Sequence, residues 1–130
     1  MAAIDAANPD ILRAAVISST VAERSLELTL FVADNLSYFT GHFTDFPILP
    51  GVVQLHWAVN YAQELLGLAT PVMTVERLKF TCPIQPNIRI ALTITHNAAK
   101  TVADFRFHSP AGSSKNLTFS QGRLLYGSTL

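Results

Sequence analysis

The stretch GVVQLHWAVNYAQELLG, residues 51–67, follows Pro50, ends on Gly67 and has no proline inside it. Proline near the start and glycine just past the end are the usual punctuation of a helix, here ~24 Å long at 1.5 Å per residue. Apolar side chains lie nearly all round it, among them Val52, Val53, Leu55, Trp57, Val59, Tyr61, Leu65 and Leu66. A helix of that kind belongs inside a protein, so the remaining residues must wrap it. Trp57 and Tyr61, large rings on a central helix, are expected to fill core volume.

The wrapping material reads as strands. In AAVISSTVAERSLELTLFV, residues 14–32, Leu26, Leu28 and Leu30 alternate with polar neighbours, which predicts two strands turned near Ala22 to Arg24. After the helix come VMTVERLKF (72–80), IRIALTITH (88–96), TVADFRFHS (101–109) and NLTFSQGRLLYG (116–127), rich in β-branched or alternating residues and bounded by turn formers. Two strands, one helix and four strands make an α+β chain, satisfied by one antiparallel sheet curled around the helix. With 130 residues and no linker, residues 1–130 form a single domain.

Charged residues make up 14% of the chain and hydrophobic ones 49%, leaving apolar surface for a second subunit to cover. Nine basic and nine acidic residues balance without a basic block, which argues against nucleic acid or an anionic membrane as partner. No run reaches the ~18–20 apolar residues of a membrane helix, and the start MAAIDAANPD lacks the basic-then-apolar pattern of an export signal. Cys82 is the only cysteine, so an internal disulfide is excluded. A cytoplasmic protein is the expectation.

The run GHFTDFPILPGV (41–52) resembles the signature of the hot-dog-fold 3-hydroxyacyl-acyl carrier protein dehydratases of fatty acid synthesis, and LKFTCPIQPNIRIALTI (78–94) resembles their strand, proline-containing turn and strand. Thioesterases of that fold usually lack the histidine-bearing loop. The resemblance implies a hot-dog dimer with acyl tunnels at the interface, a loop histidine from one subunit and an acid from the other subunit's central helix. It implies no cofactor beyond the phosphopantetheine of the acyl carrier protein that brings the substrate. His42 matches the catalytic histidine, Gly51 the glycine whose N–H binds the thioester carbonyl, and Ile48 the residue whose carbonyl orients the imidazole. His56 stands in place of the acid, fourteen residues after His42, and Asn60 stands where relatives carry Gln. The commoner Pro-Gly-Asp is here Pro86-Asn87, a basic residue common after the phenylalanine is Thr81 or Cys82, and the N-terminal segment is abbreviated. These departures point to a side branch like the small dehydratases of bacterial aryl polyene pathways.

Dehydration needs a base for the proton on carbon 2, a donor for the thioester oxygen and a proton for the departing hydroxide. Imidazole, with an unperturbed pKa of about 6.5, suits His42 to the first, and the rings of Phe39, Phe43 and Phe46 exclude water around it. Gly51, at a helix start with unpaired N–H groups, suits the second. For the third, either His56 donates, or His42 shuttles the proton alone while His56 and Asn60 grip the oxygen. Asp45 is a candidate to restore charge on His56. Two rivals remain: an acyl thioesterase using Asp45 or Glu64, and a non-catalytic carrier-binding subunit paired with an active relative. Arg77, Lys79 and Arg89 are candidates to meet an acidic carrier. Cys82 has no flanking base, His96 and His108 are expected to face solvent, and no acidic or cysteine cluster at metal-ligand spacing calls for a metal.

Overall fold

The leucine alternation of residues 25–32 becomes one buried face of a strand. In the computed structural model, which describes residues 13–36, 47–68 and 70–127, Ala15–Val21 forms β1 and Ser25–Val32 forms β2, paired antiparallel. Ala22 N–H donates to the Ser25 carbonyl at 2.8 Å and closes the turn between them. Leu26, Leu28, Leu30 and Val32 are buried while Glu27 points outward, the two-residue period of a half-covered sheet. Each such leucine taken from water stabilises the fold by roughly 1.5–3 kcal/mol.

The helix α1 spans Gly51–Leu66, entered from Pro50 and closed by Gly67 in the left-handed conformation (φ 60°, ψ 51°), which glycine adopts without a Cβ clash. Four strands follow: β3 (Val72–Phe80), β4 (Ile88–Asn97), β5 (Val102–His108) and β6 (Thr118–Tyr126). All pairings are antiparallel, in one sheet of order β1-β2-β4-β5-β6-β3. The chain therefore leaves β2, crosses through α1 to the far edge at β3, and returns inward. That crossing lays α1 on the inner face, where Val53, Trp57, Ala58, Tyr61 and Ala62 join Leu28, Leu92, Ile94, Phe107 and Leu124 in one core cluster. Trp57 and Tyr61 are core residues, as their size predicts.

The sheet covers one side of the helix only. Val52 is 72% exposed, and His56 and Gln63 are exposed with it, a stripe at helical spacing facing away from the core. At the β3 edge Met73 is 73% exposed, and Leu78 and Phe80 are exposed too. An edge strand carrying apolar side chains is surface of the kind a second chain covers.

Two departures from the sequence reading concern histidines placed at strand ends. His96 turns onto Tyr126, its Nε2 hydrogen-bonded to the phenol oxygen. His108 is half-buried between Thr93 and the Ser109 carbonyl. Both find polar partners on the sheet instead of facing solvent freely: Thr93 on β4 lies beside the His108 ring on the neighbouring β5, and Tyr126 meets His96 from β6, two strands away in the sheet.

Candidate active site

The approach to α1 is held by the backbone on both sides. Leu49 N–H donates to the Ile84 carbonyl at 2.8 Å, and the Leu49 carbonyl accepts from Gln54 Nε2 at 3.2 Å. The Pro50 carbonyl accepts from the N–H groups of Val53 and Gln54 at 3.1 and 3.2 Å. Pro50 at the N-cap supplies no side-chain cap, and no acid sits in the first turn. The N–H groups of Gly51 and Val52 are thus left without an intrahelical acceptor, at the positive end of the helix dipole. Beside them opens a hollow of about 450 Å³ whose lining includes Ile48, Gly51, Gln54, Phe80, Cys82 and Pro83. Such a mouth suits the oxygen of a polarised carbonyl attached to an apolar chain.

Phe80 supplies a reason for glycine that the sequence does not show. A Cβ on Gly51 would lie 2.7 Å from Phe80 Cζ and 2.8 Å from Cε1. The Phe80 ring, 49% exposed on the edge strand, therefore lies against the helix start and forms part of the hollow's wall. Any Cβ at residue 51 would have to displace this ring.

The other expected site residues fall in three places. His42 and Phe43, with Asp45, lie outside the described residues. Ile48 lines the hollow and is exposed. His56 and Asn60 lie one turn apart on the helix, His56 exposed and Asn60 half-buried, and neither lines the hollow beside Gly51. In the single chain the sheet leaves the His56 face of α1 open.

Asn87 accounts for one departure from the family pattern. It adopts φ 66°, a left-handed conformation that glycine takes freely and asparagine tolerates better than most residues. Its N–H donates to the Val32 carbonyl at 2.5 Å and its Nδ2 to Asp34 at 3.3 Å, pinning the turn before β4. Asparagine here fills the backbone role of the glycine in Pro-Gly-Asp.

Of the basic candidates for a carrier, Arg77 sits at φ 56° in a bulge of β3 and lines a separate hollow with Arg106 and Arg123. Arg89 lines another with Glu27, and neither arginine nor Lys79 lines the hollow at the helix start. Among the described residues no three His, Cys, Asp or Glu side chains gather as a metal site, and no helix is long and apolar enough to cross a membrane.

His108 gives a pH-dependent stability that can be measured separately from catalysis. Its Nδ1–H donates to the Ser109 carbonyl at 2.9 Å, so Nε2 accepts from the Thr93 hydroxyl at 2.8 Å. Burial, with smaller opposing and reinforcing effects from the Ser109 carbonyl, Arg106 and Glu27, holds its pKa below the usual 6.5. The unfolded chain then binds the extra proton first. The stability that neutral His108 contributes is present above about pH 6.5 and is lost as pH falls through the lower folded pKa. His108→Gln is expected to flatten the dependence of Tm on pH in that acidic window, and an unchanged slope would contradict this.

Comparison with known proteins follows the same lines. Residues 18–123 match the family model described as ApeI dehydratase. The 3-hydroxyacyl-[acyl-carrier-protein] dehydratase FabZ of Novosphingobium aromaticivorans is 34% identical over 103 residues, which are 72% of this chain and 65% of that protein. The corresponding FabZ of Rhizorhabdus wittichii is 32% identical over 60% of this chain and 55% of its own length. The chain thus spans less than two thirds of these curated relatives. Among solved structures, a chain of the dehydratase heterocomplex ApeI:P from Xenorhabdus doucetiae superposes with a TM-score of 0.78 at 30% identity, covering 89% of this chain and 99% of that one. An uncharacterised protein from Erwinia carotovora subsp. atroseptica gives 0.79 at 30% identity, covering 88% and 96%. With α1 held against a curled six-stranded sheet and its family match running from β1 into β6, the chain belongs to the ApeI dehydratase family and has the hot-dog fold.

Proposed function

We propose that this protein removes water from a 3-hydroxyacyl thioester carried on the phosphopantetheine of an acyl carrier protein, giving the trans-2-enoyl thioester. The observation that carries this reading is the start of α1, where Pro50 supplies no side-chain cap and the Gly51 N–H borders a hollow, nine residues after His42 in the sequence. The thioester oxygen accepts from Gly51 N–H, His42 takes the proton from carbon 2, and the carbon 3–oxygen bond breaks as the hydroxide gains a proton and leaves as water. That proton comes from His56, or returns from His42 while His56 and Asn60 hold the hydroxyl. Ile48 supports the base: its carbonyl shares a peptide plane with Leu49 N–H, and the bond to Ile84 fixes that plane.

The separation of His56 from the Gly51 hollow on the same chain favours a site shared by two chains. So does the apolar β3 edge with Met73 and Leu78. A second copy is one occupant. The similarity to a chain of the ApeI:P heterocomplex favours a second reading, in which a related subunit takes that place.

The test follows the ultraviolet absorbance of the conjugated enoyl thioester, using a 3-hydroxyacyl carrier substrate, while sedimentation reports the assembly. A homodimeric enzyme is active alone. A chain that turns over only when a related hot-dog subunit is added supports the second reading. His56→Ala is expected to lower turnover by about 10-fold or more, whereas a carrier-binding subunit without chemistry tolerates it. Release of free acid, or no change in substrate with either assembly, would contradict dehydration.

A further inference from the structure

Gln54 is 3% exposed and Ser120 is fully buried, and together they are the buried polar side chains of the described core. Neither belongs to the residues that motif reading brings forward. The Ser120 hydroxyl donates to Gln54 Oε1 at 2.6 Å, across 66 residues of sequence. Gln54 Nε2 donates to the Leu49 carbonyl at 3.2 Å. The direction of this chain of bonds is fixed. A carbonyl can only accept, so the amide must turn its NH₂ toward Leu49 and its oxygen toward Ser120, whose hydroxyl must then donate. A buried amide with a defined orientation and partners at both ends is costly to place and specific in what it holds.

What it holds is the turn into α1. Two successive peptide planes lie ahead of the Pro50–Gly51 plane, which carries the Gly51 N–H and whose Pro50 carbonyl accepts from Val53 and Gln54. The Ile48–Leu49 plane is fixed by Leu49 N–H on the Ile84 carbonyl, and the Leu49–Pro50 plane by Gln54 Nε2 on the Leu49 carbonyl. Proline has no N–H and offers no cap, so among the described residues it is the Gln54 side chain that secures this helix start. At its other end the relay is anchored in the sheet: Ser120 on β6 pairs across to Phe80 on β3, the residue whose ring lies against Gly51.

We infer that Gln54, oriented by Ser120, is a positioning residue of the reaction, setting the Leu49–Pro50 peptide so that Gly51 N–H and the Ile48 carbonyl keep their aim. The inference rests on the dehydratase reading and names what maintains that site. Losing the relay displaces two catalytic backbone groups without removing either, so turnover falls while carrier and acyl contacts remain.

The test compares Gln54→Met, Ser120→Ala and the double variant with the unaltered protein, measuring kcat, KM, the pH profile of kcat/KM and Tm. Gln54→Met is expected to lower kcat by up to about 100-fold, the effect of an ångström-scale misplacement, with KM changed by no more than about twofold. Ser120→Ala, which leaves the amide one partner, is expected to cost about 5-fold. In the dehydratase reading the Ile48 carbonyl steadies the protonated base, so a misaimed carbonyl is expected to move the acid limb to lower pH. In the double variant the stranded Ser120 hydroxyl is gone, so Tm should recover relative to Gln54→Met while kcat stays low. A purely structural role predicts the reverse: kcat returning in step with Tm and an unmoved acid limb, which would overturn the inference. Unchanged kcat in both single variants of an active enzyme would overturn it too and leave the dehydratase reading standing. An unaltered protein that forms no enoyl thioester overturns that reading, and this inference with it.

Discussion

Replacing His42 with alanine is expected to lower kcat for dehydration by about a thousandfold, within the range for loss of a general base, while KM for the carrier substrate changes little. The size follows from the chemistry. The proton on carbon 2 of a thioester is weakly acidic, and of the groups assigned to the site only His42 is given its removal: Gly51 N–H polarises the carbonyl, the Ile48 carbonyl orients the ring, and His56 and Asn60 serve the hydroxyl. Carbonyl polarisation by Gly51 N–H survives the substitution, so residual catalysis should remain above background. The acid limb that protonation of this imidazole gives the kcat/KM profile should disappear with the ring. Retention of that limb in His42→Ala would assign the base elsewhere.

Gly51→Ala is expected to damage both stability and turnover, and the Phe80 ring allows the two to be separated. The new methyl would stand 2.7 Å from Phe80 Cζ. Overpacking of that kind costs about 1–3 kcal/mol when neighbours cannot move aside. Phe80 is half-exposed and on an edge strand, so part of the strain can be released by displacing its ring. Removing the ring altogether in Gly51→Ala/Phe80→Ala should restore Tm toward that of Phe80→Ala. Turnover should stay at least about 10-fold down, because the methyl still stands beside the N–H that receives the thioester oxygen. If turnover and Tm both return, Gly51 serves packing alone and the oxyanion role assigned to it is wrong.

Much of the architecture can be read from local signals. Leu26, Leu28 and Leu30 alternate because one face of β2 is covered, and Pro50 with Gly67 brackets α1 because both act through their own backbone. Turn formers between the later runs locate β3 to β6 to within a few residues. Strand order is another matter: nothing local to VMTVERLKF says that β3 pairs with β6 at the far edge, since that depends on how the chain crosses through the helix. The same limit governs the site. Gln54 stands between Val53 and Leu55 on a largely apolar helix, a visible signal whose meaning requires Ser120 from β6. Phe80 reads as the last residue of a strand, and only the folded chain sets it against Gly51. The apolar circumference of α1 hides which face its own sheet covers, so the exposure of His56 could not be foreseen. For the histidines of β4 and β5, sequence position marks a strand end but not the partner across it.

The claim on which the rest depends is that an imidazole and a helix-start N–H act together on carbon 2 of a carrier-bound acyl thioester. It is tested most directly by running the reaction backward in heavy water on a trans-2-enoyl carrier thioester and reading the product by mass spectrometry and NMR. The expected product is the 3-hydroxyacyl thioester with oxygen at carbon 3 and one deuterium at carbon 2, formed by the unaltered protein and not by His42→Ala. Deuterated product formed equally well by both proteins, or free acid in place of the hydroxyacyl thioester, would contradict it.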